Sequence, residues 1–70
     1  RLQRRWQRLA GKELARHARP VRLHRGTLYI HVDSPGVSFA LSLEKPRLLK
    51  QLNVGTQPPI EEIIVRAGEL

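Results

Sequence analysis

The 70-residue chain carries three histidines at seven-residue intervals, His17, His24 and His31, and no cysteine. Spacing by seven would gather three imidazoles on one continuous helix, but Pro20 and a segment of strand-like alternation intervene. His24, His31 and Asp33 could share one strand face as a weak metal site. No tight ligand spacing of a built metal site accompanies them, so the three read as ordinary surface or half-buried histidines. Ser34, Ser38 and Ser42 lie on or beside one helical segment, without the Gly-x-Ser-x-Gly elbow that activates a nucleophile. Glu61 and Glu62 are adjacent on a strand and point to opposite faces, so they cannot act as an acid–base pair. No glycine-rich loop precedes a Lys-Ser or Lys-Thr pair, which leaves a nucleotide phosphate without a cradle. The expectation is a protein with no catalytic residue, no metal and no cofactor.

The residues that remain able to do something are the cations. Thirteen Lys and Arg oppose six Asp and Glu, for a net charge of +7. That sits at the top of the range of about 2–8 that solubility alone calls for in a small domain, and such a field attracts polyanions. Arg1, Arg4, Arg5, Arg8 and Lys12 crowd the first twelve residues with no acidic residue among them. Unpaired like charges at helical spacing cost stability, so their clustering points to a partner. Arg16, Arg19, Arg22 and Arg25 extend the positive potential along the chain. Contacts of this type touch phosphate and carry no sequence information, and they weaken steeply with salt. A second candidate surface consists of Arg22, His24, Tyr29 and His31, with Ile64 beside them. There Tyr29 is the lone aromatic among Arg and His: a base or a partner helix could lie on it, or it could simply form a cross-strand pair with Arg22.

These residues must be positioned by local structure. In "RLQRRWQRLAG", Leu2, Trp6, Leu9 and Ala10 form an apolar helical stripe, with Trp6 as the expected anchor against a sheet. Gly11 is where that helix can stop or bend. "KELARHA" resumes it for another turn or two with Leu14 inward and His17 a candidate to join it, until Pro20 ends it. Val21 and Leu23 alternate with Arg22 and His24, and Leu28, Ile30 and Val32 alternate with Tyr29, His31 and Asp33, the period-two signature of strands. A tight turn at Arg25-Gly26 pairs Leu23 with Leu28, Val21 with Ile30, and Arg22 with Tyr29. Ser34 and Pro35 fit the N-cap and first position of a helix whose stripe is Val37, Leu41, Leu48 and Leu52. Pro46 should kink or break it near Lys45, or open a second helix there, and Asn53 to Gly55 should stop it. "TQPP" reads as a loop, and "IEEIIVRA" as a third strand with Ile63 and Val65 inward.

The order α-β-β-α-β describes a two-layer α+β sandwich: a three-stranded sheet with helices on one face. The uncovered face carries Arg22, His24, Tyr29, His31 and Ile64. Seventy residues make one domain, residues 1–70, which buries roughly 60% of its unfolded surface and has a thin stability margin. No apolar run approaches the roughly 20 residues that span a bilayer, and no membrane association is expected. The abrupt start at Arg1, inside a helix and without methionine, reads as a domain cut from a longer protein.

Trp6, Gly11, the His17 to Pro20 stretch, Leu28 to Val32, "LLKQLN" over Leu48 to Asn53, and Arg66 to Gly68 together resemble the DciA family of bacterial proteins, over nearly the whole chain. The resemblance implies a KH-like domain that binds DNA and the DnaB-type replicative helicase, promotes helicase loading in the cytoplasm at the nucleoid, and has no ATPase of its own. Two features depart from expectation. Phe39 stands where the family pattern has Trp, and the Gly-x-x-Gly loop with which true KH domains clamp nucleic acid does not occur. DNA binding would therefore fall to the basic helix and the sheet face. The same charge would also serve an RNA-binding module, or a protein-interaction domain that meets an acidic partner.

Overall fold

A computed structural model describes residues 2–55 and 58–70. The elements are α1 (Leu2–His17), β1 (Ala18–His24), β2 (Thr27–Val32), α2 (Pro35–Leu52) and β3 (Glu62–Ala67). The sheet order is β1-β2-β3, with β1 antiparallel and β3 parallel to the central β2. A parallel pair needs a crossover, and α2 supplies it. The α+β sandwich expected from the sequence is the fold observed.

Helix α1 is two helical pieces joined at Gly11, whose φ of 87° and ψ of 161° belong to a region open to glycine alone. The first piece buries Trp6 completely and packs Leu9 and Ala10 on the core; the second adds Leu14 and Ala15. The Trp6 indole Nε1–H donates to the carbonyl of Ala18 at 2.9 Å. That one side chain fills the space between helices and sheet and ties α1 to the first residue of the edge strand. The side chain of Leu2, expected on the same stripe, lies outside the described residues.

Pro20 does not end the helix. α1 stops at His17, and Pro20 sits inside β1 opposite Ile30. It is tolerated because an edge strand can do without one N–H. The register then slips between Pro20 and Arg22, so Val21 is an extra residue in a bulge. This overturns the expected Val21–Ile30 pair: Pro20 takes the buried place and Val21 is exposed. Arg22 opposite Tyr29 and Leu23 opposite Leu28 are as expected, although Leu23 is half exposed at the end of the hairpin. Arg25 (φ 49°) and Gly26 (φ 82°) make the turn, both in the positive-φ geometry that matches strand twist.

Helix α2 starts as its sequence dictates: the Val37 N–H donates to Ser34 Oγ and the Ser38 N–H to the Ser34 carbonyl. It runs as one helix through Pro46 to Leu52, so the chain neither breaks near Lys45 nor starts a second helix at Pro46. Pro46 and Ser42, whose carbonyl loses its donor there, are both exposed, so the missing bond falls on the solvent side, where it costs least. Leu41, Leu48 and Leu52 are buried. Asn53 stops the helix and clamps the chain ahead of β3, donating from Nδ2 to the Ile60 carbonyl (2.8 Å) and accepting the Ile60 N–H at Oδ1 (2.6 Å). The core is one cluster: Trp6, Ala18, Leu28, Ile30, Val32, Leu41, Leu48, Leu52, Ile60 and Ile63. Every strand residue in it points to the helix layer, which leaves the other sheet face open.

Candidate nucleic-acid interface

Side chains alternate across a strand, so the inward set Leu28, Ile30, Val32 and Ile63 fixes the outward set. In register across the open face stand Arg22, Tyr29 and Ile64, then Arg19, His31 and Arg66. The Arg66 guanidinium lies over the Tyr29 ring, 5.2 Å from its centroid, a distance at which the ring quadrupole attracts a cation. Val21, pushed outward by the bulge, joins Arg22, Tyr29, His31 and Arg66 around a shallow concavity of about 250 Å3. Its floor is an aromatic ring under a planar cation, and its rim holds a second arginine and an imidazole.

His31 is held in one orientation. Its Nδ1 lies 3.3 Å from the carbonyl of Glu69; a carbonyl only accepts, so Nδ1 carries the proton. In the neutral ring this leaves Nε2 as an acceptor, and in the charged ring as a donor. The ring packs against Gly68 so closely that a Cβ there would come within 2.5 Å of Nδ1. The chain after β3 thus crosses the end of the open face, and the Arg19 guanidinium donates to the Leu70 carbonyl. Glu62 is an acidic residue at the far end of this face, opposite Thr27.

The arginine-rich helix is a different kind of surface. Arg5, expected to face phosphate, donates through Nη2 to the carbonyls of Gln51, Leu52 and Val54 at 3.0–3.1 Å. Those carbonyls lie in the last turn of α2 and just beyond it, where backbone acceptors run out of intrahelical donors, and a cation at the negative end of a helix dipole is favourable besides. Arg47 makes the reverse contact, donating to the Leu9 carbonyl at 3.2 Å while also bonding Glu44 and Gln51. The first half of α1 and the second half of α2 are therefore stitched by an arginine from each. Arg4, Arg8 and Lys12 are exposed, and Lys12 follows the break at Gly11. Arg1 lies outside the described residues. The flank and the open sheet face are on opposite layers, so they form two surfaces and not one.

A family model described as Dna[CI] antecedent, DciA, matches residues 1–65. The chain belongs to the DciA family. No curated protein matches it. Family membership implies a helicase-loading role in DNA replication, exercised through the replicative helicase.

For a DciA chain, the positions carrying the resemblance turn out to be largely structural. Trp6 is core, His17 Nδ1 lies 3.0 Å from Asp33 Oδ1, and Asn53 is the loop clamp. His17, His24 and His31 sit in three separate settings, and among the described residues no group of three His, Asp or Glu is placed to hold a metal. Arg16 is paired with Glu13 at 3.5 Å on an exposed helix turn, while Arg25 and His24 project at the hairpin end. Among the described residues no helix is long and apolar enough to cross a membrane. A larger hollow of about 530 Å3 at the start of α2 is lined by Val32, Asp33, Pro35 and Ala67 and by no basic residue. Arg66 is the member of the open face that sequence reasoning missed. The signal was present, since Ile63 and Val65 inward place Ile64 and Arg66 outward, but only parallel pairing brings Arg66 onto Tyr29.

Proposed function

We propose that this chain is a non-enzymatic adaptor that binds DNA through its open sheet face and engages the DnaB-type replicative helicase, promoting helicase loading in bacterial DNA replication. The observation that carries the DNA half is the Arg66–Tyr29 stack flanked by Arg22 and His31. Arginines there reach phosphate, and the ring with its planar cation offers a stacking surface that is tolerant of sequence because every base has a π-face. Arg19, Arg25 and His24 extend the positive rim along β1. Arg4, Arg8, Lys12 and Arg16 add long-range attraction from the helix layer, whereas Arg5 serves the α1–α2 joint.

The test is fluorescence anisotropy with single-stranded DNA, duplex DNA and matched RNA at two salt concentrations. Binding independent of sequence and steeply weakened by salt is expected. In the Arg22→Ala, Arg66→Ala double variant the slope of log K against log salt should fall by about 0.7–0.9 for each phosphate that is no longer neutralised. An unchanged slope would move the interface off the sheet. A strong preference for RNA over both DNA forms would favour an RNA-binding module instead. Association of the full-length protein with its cognate helicase, tested by pull-down, decides the other half.

A further inference from the structure

Helix α2 is apolar on two sides. Its inner side, Val37, Leu41, Leu48 and Leu52, is accounted for by the core. Its outer stripe at helical spacing, Gly36, Phe39, Leu43, Pro46 and Lys50, is exposed throughout, and Phe39 and Leu43 each retain 68% of their surface. An amphipathic helix of a two-layer domain needs one apolar stripe, and α1 obeys that rule, with Arg4, Arg8 and Lys12 outside. The fold gives no reason for the second stripe of α2. Residues Phe39 and Leu43 stand one helical turn apart, the i, i+4 pattern of side chains that anchor a helix in a groove.

We propose that this outer face of α2 docks a protein partner through an apolar groove rimmed by carboxylates. Charge selects that occupant. Lys50 is the only charged residue in the stripe, Glu44 is neutralised by Arg47 at 2.6 Å, and the chain as a whole is +7. A second copy would bring another +7 against it, and the apolar pair offers nothing to phosphate. Because the open sheet face lies on the other layer, DNA and this partner can be held at once. The inference rests on the adaptor reading for the existence of a protein partner, the replicative helicase, and on α2 alone for where that partner sits.

The experiment measures binding of the purified cognate helicase and of single-stranded DNA by the wild type and by a Phe39→Ser, Leu43→Ser double variant. Truncating two central anchors should weaken the helicase complex by about 30-fold and leave DNA binding and the melting temperature unchanged. Lys50→Glu, which removes no apolar contact, should weaken it less and lose that effect in high salt; it decides the matter if the double variant fails to fold. Helicase binding that survives both changes at the wild-type level overturns the assignment of this face while leaving the adaptor reading intact. Absence of helicase binding by the wild type overturns both. Equal loss of DNA binding, or sedimentation with anionic phospholipid vesicles that the double variant abolishes, makes the face a nucleic-acid or lipid surface and overturns the inference.

Discussion

The open face of the sheet and the outer face of α2 are both exposed, yet they answer to different constraints. A sheet covered on one side must be polar on the other, so Arg22, His31 and Arg66 would be unremarkable as mere polarity. What distinguishes that face is geometry: Arg66 over Tyr29, and His31 pinned between Gly68 and the Glu69 carbonyl. The outer face of α2 is the converse. Its geometry is an ordinary helix and its composition is what the fold does not require. The two proposed surfaces therefore stand out for different reasons, the sheet by an arrangement and the helix by a surplus.

Both surfaces hang on one core, and the largest effect tests that. Trp6→Ala removes a fully buried indole and its bond to Ala18, and should cost about 3–5 kcal/mol. A 70-residue domain has only about 0.05–0.15 kcal/mol per residue in total. Chemical denaturation should find the variant largely unfolded, with DNA and helicase binding lost together. A variant that keeps one surface and loses the other would show that they fold independently.

Next in size is a change that separates the two uses of arginine. Arg5→Ala should destabilise by about 1–2 kcal/mol, since hydrogen bonds from a charged donor are worth about 1.5–3 kcal/mol before solvent exposure reduces them. The salt dependence of DNA binding by the folded protein should stay as in the wild type. Arg66→Ala should do the reverse. Its stability should fall by no more than the roughly 0.5–1 kcal/mol of an exposed cation–π contact, while DNA affinity drops about tenfold, within the 1–3 kcal/mol of a stacked base. A shallower salt slope in Arg5→Ala would return that residue to the interface.

How far the sequence discloses these two arginines shows where its legibility ends. Local signals are reliable here: the period-two alternation of Leu28 to Val32, the Ser34-Pro35 start of α2, the bend at Gly11 and the stop at Asn53 all depend on neighbours within a few residues. Pro20 and Val21 mislead because a bulge on an edge strand is a property of pairing and not of pattern. Pro46 misleads because its effect depends on which side of the helix is wet. Arg5 reads as a free cation because the acceptors that hold it are 46–49 residues away. Arg66 reads as the end of a strand because its aromatic partner belongs to another. Burial is written in periodicity, whereas the destination of a long charged side chain is settled by tertiary contact.

The smallest effect is the most discriminating, because it asks whether the arrangement on the sheet does anything beyond holding the strands. Tyr29 stands opposite Arg22 on one side and Ile64 on the other, with Arg66 above it. If the ring is only a cross-strand neighbour, Tyr29→Leu costs the sheet a few tenths of a kcal/mol and leaves DNA binding alone. If the ring is a stacking surface, the same substitution weakens single-stranded DNA about tenfold at nearly the same stability, and that is the expected outcome. Tyr29→Phe keeps the π-face and the seat of Arg66 and removes only the hydroxyl, so its affinity should stay within about twofold of the wild type, since a π-face stacks without the hydroxyl. A loss in Tyr29→Phe as large as in Tyr29→Leu would mean that the phenol bonds the ligand directly, and stacking would have to be replaced by hydrogen bonding as the origin of affinity on that face.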